Sequence, residues 1–260
     1  MITILTPTFN RAHTLPRLFE SLMKQSVAEF EWLIVDDGST DETQGLVECF
    51  QRLAPFKTRY LAKENGGKHT ALNEGVRAAF GDWIFIVDSD DFLIEGAIKK
   101  IYSDIHDTGK NSVVGLCYRR MFESGSFIGV EHKQMGPCTL SPTEASHFFK
   151  GDLAYIFRRA TMLLHPFPVI AGEKFVPELL IWNQISDEGD IIYFPDKSVY
   201  VCEYLEDGYS QNFKRNLRMN PRGFGIHYLA QMGREKRLTY KAKCLIRYLQ
   251  CRWFAWRDAG

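Results

Sequence analysis

Ile84-Phe85-Ile86-Val87-Asp88-Ser89-Asp90-Asp91 is an apolar run rich in β-branched residues that stops abruptly in three carboxylates within four positions. A short, continuous apolar run bounded by turn residues reads as a strand buried on both faces. Such a strand needs covering helices, and the chain before it supplies them. Ile2 to Leu5 gives a strand signal, and Leu15, Leu18, Phe19 and Leu22 then recur at helical spacing within Leu15 to Met23. Glu31 to Val35 predicts a second strand and Glu42 to Leu53 a second helix. Thr58 to Ala62, Ala71 to Ala79 and Trp83 to Val87 predict a third strand, a third helix and a fourth strand. This alternation predicts an α/β fold with a mostly parallel, Rossmann-like sheet and helices on both faces.

In open sheets of this kind ligands bind beyond the carboxyl ends of the strands, where loops and helix N-termini converge. The polar clusters fall at those ends: Thr6 to Arg11, Asp36 to Asp41, Asn65 to Thr70 and Asp88 to Asp91. Four loops are therefore expected to face one crevice. Asp88, Asp90 and Asp91 would repel one another at the rim of a low-dielectric core, and a hard divalent cation such as Mg²⁺ or Mn²⁺ would relieve that repulsion. The alternative is a solvated acidic turn capping a helix from near Leu93. In Val35-Asp36-Asp37-Gly38-Ser39-Thr40-Asp41, a carboxylate can accept from a base N–H or from ribose hydroxyls, while Ser39, Thr40 or Asp41 can instead cap the next helix. Asn65-Gly66-Gly67-Lys68-His69-Thr70 offers close backbone approach and a lysine for a diphosphate; the alternative is a lysine on a solvated turn. It lacks the Gly-Lys-Ser/Thr ending of a phosphate-binding Walker sequence.

Thirty-two basic and 32 acidic residues cancel, so no global field selects nucleic acid or an acidic substrate. Six cysteines without a Cys-x-x-Cys pair suggest a reducing compartment, four of them among apolar neighbours that imply burial. The N-terminus runs straight into a strand pattern with no signal-peptide character, and no apolar run reaches the ~20 residues of a spanning helix. Beyond Val113 the pattern is less regular, with strands expected near Val113 to Tyr118 and Ile191 to Phe194 and a loop over the site from Gly129 to Pro142. From Lys214 to Arg257 the lysines and arginines face only Glu235 and Asp258, interleaved with Tyr, Trp and Phe. This predicts a helical, basic extension over 211–260. It suits either an anionic lipid surface or a packed helical pair with a solvated basic face.

The set Thr6-Pro7-Thr8-Phe9-Asn10-Arg11, Val35 to Asp41, Glu64-Asn65-Gly66-Gly67-Lys68, Ala71-Leu72-Asn73-Glu74-Gly75 and Val87 to Asp91 resembles glycosyltransferase family 2, of GT-A fold. The resemblance is specific to about Leu93 and looser to about Asn212. It implies a catalytic domain over 1–210, with a nucleotide-binding half to about 110 and an acceptor half from about 111. It implies inverting transfer from a nucleotide-diphosphate sugar, with a UDP-sugar favoured, to a saccharide or lipid-linked acceptor. Carried over by position, Pro7, Thr8, Asn10, Arg11, Asp36, Asp37, Lys68, Asp88 and Ser89 contact the nucleotide. Asp90, Asp88 and Asp91 serve Mn²⁺ or Mg²⁺, a cation suited to the charge that develops on a leaving diphosphate.

Inverting transfer also needs a general base. Gly172-Glu173-Lys174-Phe175-Val176-Pro177-Glu178-Leu179 departs from the family's usual adjacent acidic pair; Glu178, at the start of an apolar helix, is the first candidate and Glu173 the second. Glu203 to Ser210 lies where the family commonly carries a histidine loop, but holds no histidine, which leaves Glu206 or Asp207 as substitutes or the stretch as a surface turn. His69, His132, His147, His165 and His227 show no paired spacing and imply no zinc site. A nucleotidyltransferase or a non-catalytic nucleotide-sugar binder is the rival; the first needs a basic glycine-rich N-terminus, the second predicts loss of the carboxylates. The expected setting is cytoplasmic, at the inner face of the membrane if the extension binds lipid, with no nucleic-acid partner.

Overall fold

The computed structural model describes residues 1–109, 112–132, 135–202 and 213–257. In chain order the elements are β1 (Ile2–Thr8), α1 (Leu15–Met23), β2 (Phe30–Asp36), α2 (Thr43–Leu53), β3 (Lys57–Ala62), α3 (Lys68–Ala78) and β4 (Trp83–Ile86). There follow β5 (Phe92–Leu93), α4 (Ala97–Thr108), β6 (Val113–Met121), β7 (Cys138–Thr139), α5 (Pro142–Phe149), β8 (Leu153–Arg158), α6 (Arg159–Leu164), α7 (Leu179–Ile185) and β9 (Asp190–Val201). Three helices close the described chain: α8 (Phe213–Met219), α9 (Pro221–Arg234) and α10 (Leu238–Arg257).

The described strands form one sheet in the order β3-β2-β1-β4-β8-β6-β9-β5, with β7 on β9 off that path. It is parallel over β3-β2-β1-β4 and mixed beyond. The register Thr8↔Asp36 and Leu5↔Ile86 brings the carboxyl ends of β1, β2 and β4 to one edge. Successive side chains take opposite faces, as a strand requires. Ile4, Trp32 and Ile34 enter a core with Leu18, Phe19 and Phe50 beneath α1 and α2, while Leu5, Leu33 and Val35 enter the other with Leu72, Val76 and Trp182 beneath α3 and α7. Full burial of one such side chain contributes roughly 1.5–3 kcal/mol, which explains why the continuous apolar runs were legible as central strands.

Two local features position the site. Gly75 lies inside α3, where a Cβ would stand 2.2 Å from Leu5 Cδ1, so its absence lets α3 settle closely on β1. Lys68 is the first residue of α3, which thus begins three residues before the expected start at Ala71. The helix expected from Leu93 begins instead at Ala97, because Phe92–Leu93 pairs with Tyr200–Val201 as β5. Asp88 to Asp91 is therefore no helix cap. Of Gly129 to Pro142, Cys138–Thr139 pairs with β9 rather than forming loop.

The extension packs by one face. Phe224 and Cys251 meet Leu217, Phe175 and Phe213, and Gln231 bonds Thr143 and Asn183. Glu173 accepts from Arg222 N and Gly223 N, each at 2.8 Å, filling the orphan donors that open α9. All six cysteines are free, and Cys117, Cys202, Cys244 and Cys251 are buried. Glu203 to Ser210, with Glu206 and Asp207, lies outside the described residues.

Candidate active site

At the carboxyl edge of the sheet lies a cavity of about 820 Å³, between the loops after β1, β2 and β4, the start of α3, and residues of α5, β8, α7 and α9. The β1 and β2 loops are welded together before any ligand arrives. Asn10, at φ 53°, donates its backbone N–H to Ser39 Oγ at 2.8 Å and accepts from Thr40 N at 2.8 Å. Asp36 accepts from Ser39 N and from the Tyr60 hydroxyl. Asp37 accepts from Gly66 N (2.9 Å), Gly67 N (2.7 Å) and Lys63 Nζ (2.6 Å), so its carboxylate organises the double-glycine loop. Gly67 has φ 95°, and a Cβ there would lie 2.0 Å from the Lys174 carbonyl oxygen. Only glycine lets this loop pass so near the segment leading to Glu178.

The centre is a chain of charges. Lys68 Nζ lies 2.6 Å from Asp88 Oδ1 and 2.9 Å from Glu178 Oε1, joining the end of β4 to the start of α7. Arg120, from β6, stands 3.5 Å from both Asp88 Oδ2 and Asp91 Oδ2 and lies over the Tyr200 ring. Tyr200 donates its hydroxyl to Asp91 Oδ2 at 2.7 Å and accepts from Asp88 N at 2.9 Å. Burial opposes the charge on Lys68, but Asp88 and Glu178 outweigh it and hold its pKa above the usual lysine range. Burial likewise opposes ionisation of Asp88, and Lys68 and Arg120 reverse that, lowering its pKa. Asp91 moves the other way, raised by burial and then by the charge of Asp88.

Asp90 differs from its neighbours. Its side chain makes no hydrogen bond or ion pair to another described residue, and burial and then Asp88 raise its pKa, partly offset by Arg11 and Lys68. Among the described residues no three His, Cys, Asp or Glu side chains converge as a closed metal cluster. The expected trio of Asp88, Asp90 and Asp91 is thus divided: all three line the cavity, but Asp88 and Asp91 are held by side chains of the protein and Asp90 is not. That donor set fits Mg²⁺ or Mn²⁺, which binds through one or two carboxylates and takes its other ligands from substrate phosphates and water.

Of the residues singled out in the sequence, Pro7, Thr8, Arg11, Asp37, Lys68, Asp88, Ser89, Asp90, Asp91 and Glu178 line the cavity. Asn10, Asp36 and Glu173 are not among the lining residues; the first two brace the loops and the third is bound to α9. Sequence reasoning missed Arg120, Tyr155, Trp182 and His227, all of which line it. For Arg120 the signal was present: Arg119-Arg120 continues a buried strand, and a buried arginine implies a charged or aromatic partner. Two polar atoms of the walls, Thr8 Oγ1 and His227 Nδ1, are buried with no hydrogen-bond partner among the described residues. Burial pushes the His227 imidazole down to about 4, so it is neutral at pH 7.

An acidic strand end, a glycine-lysine loop and a facing glutamate meet on a sheet of this order, and the chain belongs to glycosyltransferase family 2. The Glycosyl transferase family 2 model matches residues 3–164. The glycosyltransferase GlyG of Streptococcus pneumoniae serotype 4 is 33% identical over 177 residues, 67% of this chain and 58% of GlyG. The poly(ribitol-phosphate) β-N-acetylglucosaminyltransferase TarP of Staphylococcus aureus is 29% identical over 118 residues, 44% of this chain and 36% of TarP. The chain therefore spans under two thirds of the length of these relatives. In fold it matches S. aureus TarS 1–349 in complex with UDP-GlcNAc, with TM-score 0.71 and 20% identity over 97% of this chain and 72% of that one. It also matches the mannosyltransferase PcManGT of Pyrobaculum calidifontis in complex with GDP-Man and Mn²⁺, with TM-score 0.61 and 19% identity over 100% and 75% of the two chains. The fold is GT-A.

Proposed function

We propose that the chain transfers a sugar, with inversion, from a nucleoside-diphosphate sugar to an acceptor hydroxyl in the synthesis of a cell-envelope polysaccharide, lipopolysaccharide or glycolipid. The observation that carries this reading is that Asp88 and Glu178, drawn from the two halves of the domain, meet on Lys68 in one cavity that Asp90 also lines. The half to about residue 110 serves the donor and the half from about 111 to 210 the acceptor. The nucleoside lies against Pro7, Thr8, Arg11 and Asp37, and the diphosphate beside Lys68, Asp88 and Ser89. Thr8 Oγ1, buried without a partner among the described residues, is a ready contact for the donor. Relatives in fold hold UDP-GlcNAc and GDP-Man, which supports a nucleotide-sugar donor, with a UDP-sugar the first choice.

Mn²⁺ or Mg²⁺ would be held by Asp90, Asp88 and Asp91 and would neutralise charge on the departing diphosphate. The chain's own residues do the rest. A phosphate beside Lys68 competes with Glu178 for the ammonium, so donor binding loosens the bond that occupies Glu178 Oε1. Glu178 then takes the proton of the acceptor hydroxyl as its oxygen attacks the sugar. Tyr155, Trp182 and His227 form the wall beyond Glu178 and suit a saccharide, with aromatic faces for the ring and a neutral imidazole for a hydroxyl. A cytoplasmic setting goes with this reading, at the inner face of the membrane where the acceptor is lipid-linked.

The test is a panel of UDP-, GDP- and dTDP-sugars with the purified chain and Mn²⁺, reading diphosphate release. Release from one donor class, faster with acceptor present, is the expected result. Binding of nucleotide sugars without release under any acceptor mixture would leave a sensor rather than a transferase.

A further inference from the structure

We infer that the outward face of α10 is a lipid-docking surface that seats the protein on an anionic phospholipid bilayer. It goes beyond the transfer reaction, and rests on that reading only in placing the acceptor at the same interface. One face of α10 is buried against α9 through Cys244 and Cys251. The opposite face carries Leu238, Leu245, Ile246, Leu249, Trp253 and Trp256, all exposed, with Leu238 at 82% and Trp256 at 75%. At 100° per residue these side chains fall within one stripe along the helix. Lys241 and Arg252 border it on one side and Lys243 and Arg257 on the other. The helix holds no aspartate or glutamate anywhere between Leu238 and Arg257.

Charge complementarity decides among occupants. An apolar stripe between two basic borders, with tryptophan at its far end, matches an interface in which rings sit at headgroup depth and Lys/Arg meet lipid phosphates. A second copy of the chain would set the same basic borders against each other across a two-fold axis, which is unfavourable. No described helix is long and apolar enough to cross a membrane, so the contact is in plane.

The experiment is co-sedimentation of the full chain with phosphatidylcholine vesicles, with and without phosphatidylglycerol, alongside tryptophan emission. Trp32, Trp83 and Trp182 are buried, so a blue shift reports Trp253 and Trp256. Binding to phosphatidylglycerol vesicles with a blue shift, weakening as salt screens the charges, is expected. Trp253→Ser/Trp256→Ser should lower the partition roughly ten-fold or more, and Lys243→Glu/Arg252→Glu should abolish the preference for anionic vesicles. No binding at low salt would overturn the inference, as would equal binding by both double variants. So would a dimer in light scattering that the tryptophan variant splits, since the face would then belong to a second copy. Diphosphate release by the tryptophan variant should match the parent, so loss of docking and failure of the transfer reading are separate results.

Discussion

Glu178→Gln is expected to lower turnover by roughly 10²-fold or more while leaving donor binding nearly intact. Glu178 reaches the cavity from the start of α7, whereas Asp88 to Asp91 follow β4. A base for in-line attack must stand across the sugar from the leaving diphosphate, and Glu178 alone of the two candidates lines the cavity. Glutamine keeps the size and can still accept a hydrogen bond from Lys68, but cannot take up a proton. A binding role would raise KM; a proton-transfer role lowers kcat. Steady-state kinetics of the two variants separates the candidates: Glu173→Gln should act on stability, since Glu173 holds the first turn of α9. Full turnover in Glu178→Gln would remove it as the base.

Asp90→Ala is expected to abolish transfer and the Mn²⁺ dependence of nucleotide binding, with little change in thermal unfolding. Its carboxylate is raised in pKa by burial and by Asp88 beyond what Arg11 and Lys68 offset, so a bound cation would relieve it. Replacing Asp88 is the poorer probe, because that leaves Lys68 and Arg120 facing a lost partner. Calorimetry of UDP with and without Mn²⁺ checks the outcome. Equal Mn²⁺-dependent binding in parent and variant would remove Asp90 from the cation.

Much of this was legible before folding. β1, β2 and β4 are apolar runs because this part of a parallel sheet is covered on both faces, and that pattern survives in one sequence, whereas β3 is a half-exposed edge strand. The loops that line the cavity were visible for the same reason: polar clusters ending such runs have one place to go. What escaped depends on tertiary partners. β5 is two residues long and exists through its pairing with β9, and the glycines before Lys68 hid the start of α3. Composition could not tell that Asp36 and Asp37 turn to Tyr60, Lys63 and backbone amides. Nor could it tell that Arg120 would stand beside Asp88 and Asp91 and leave Asp90 without a paired side chain. His227 enters the cavity wall because α9 packs beside α5 and α7, a fact of assembly that helical periodicity does not carry.

The central claim is that the donor occupies the carboxyl edge of the sheet, with its diphosphate between Lys68 and Asp90. A crystal structure of the chain with UDP and Mn²⁺ tests it most directly. The account predicts the uridine against Pro7, Thr8 and Asp37, the diphosphate beside Lys68, and the cation on Asp90. A nucleotide whose base lies against α9 or α10, with Asp90 untouched, would contradict it.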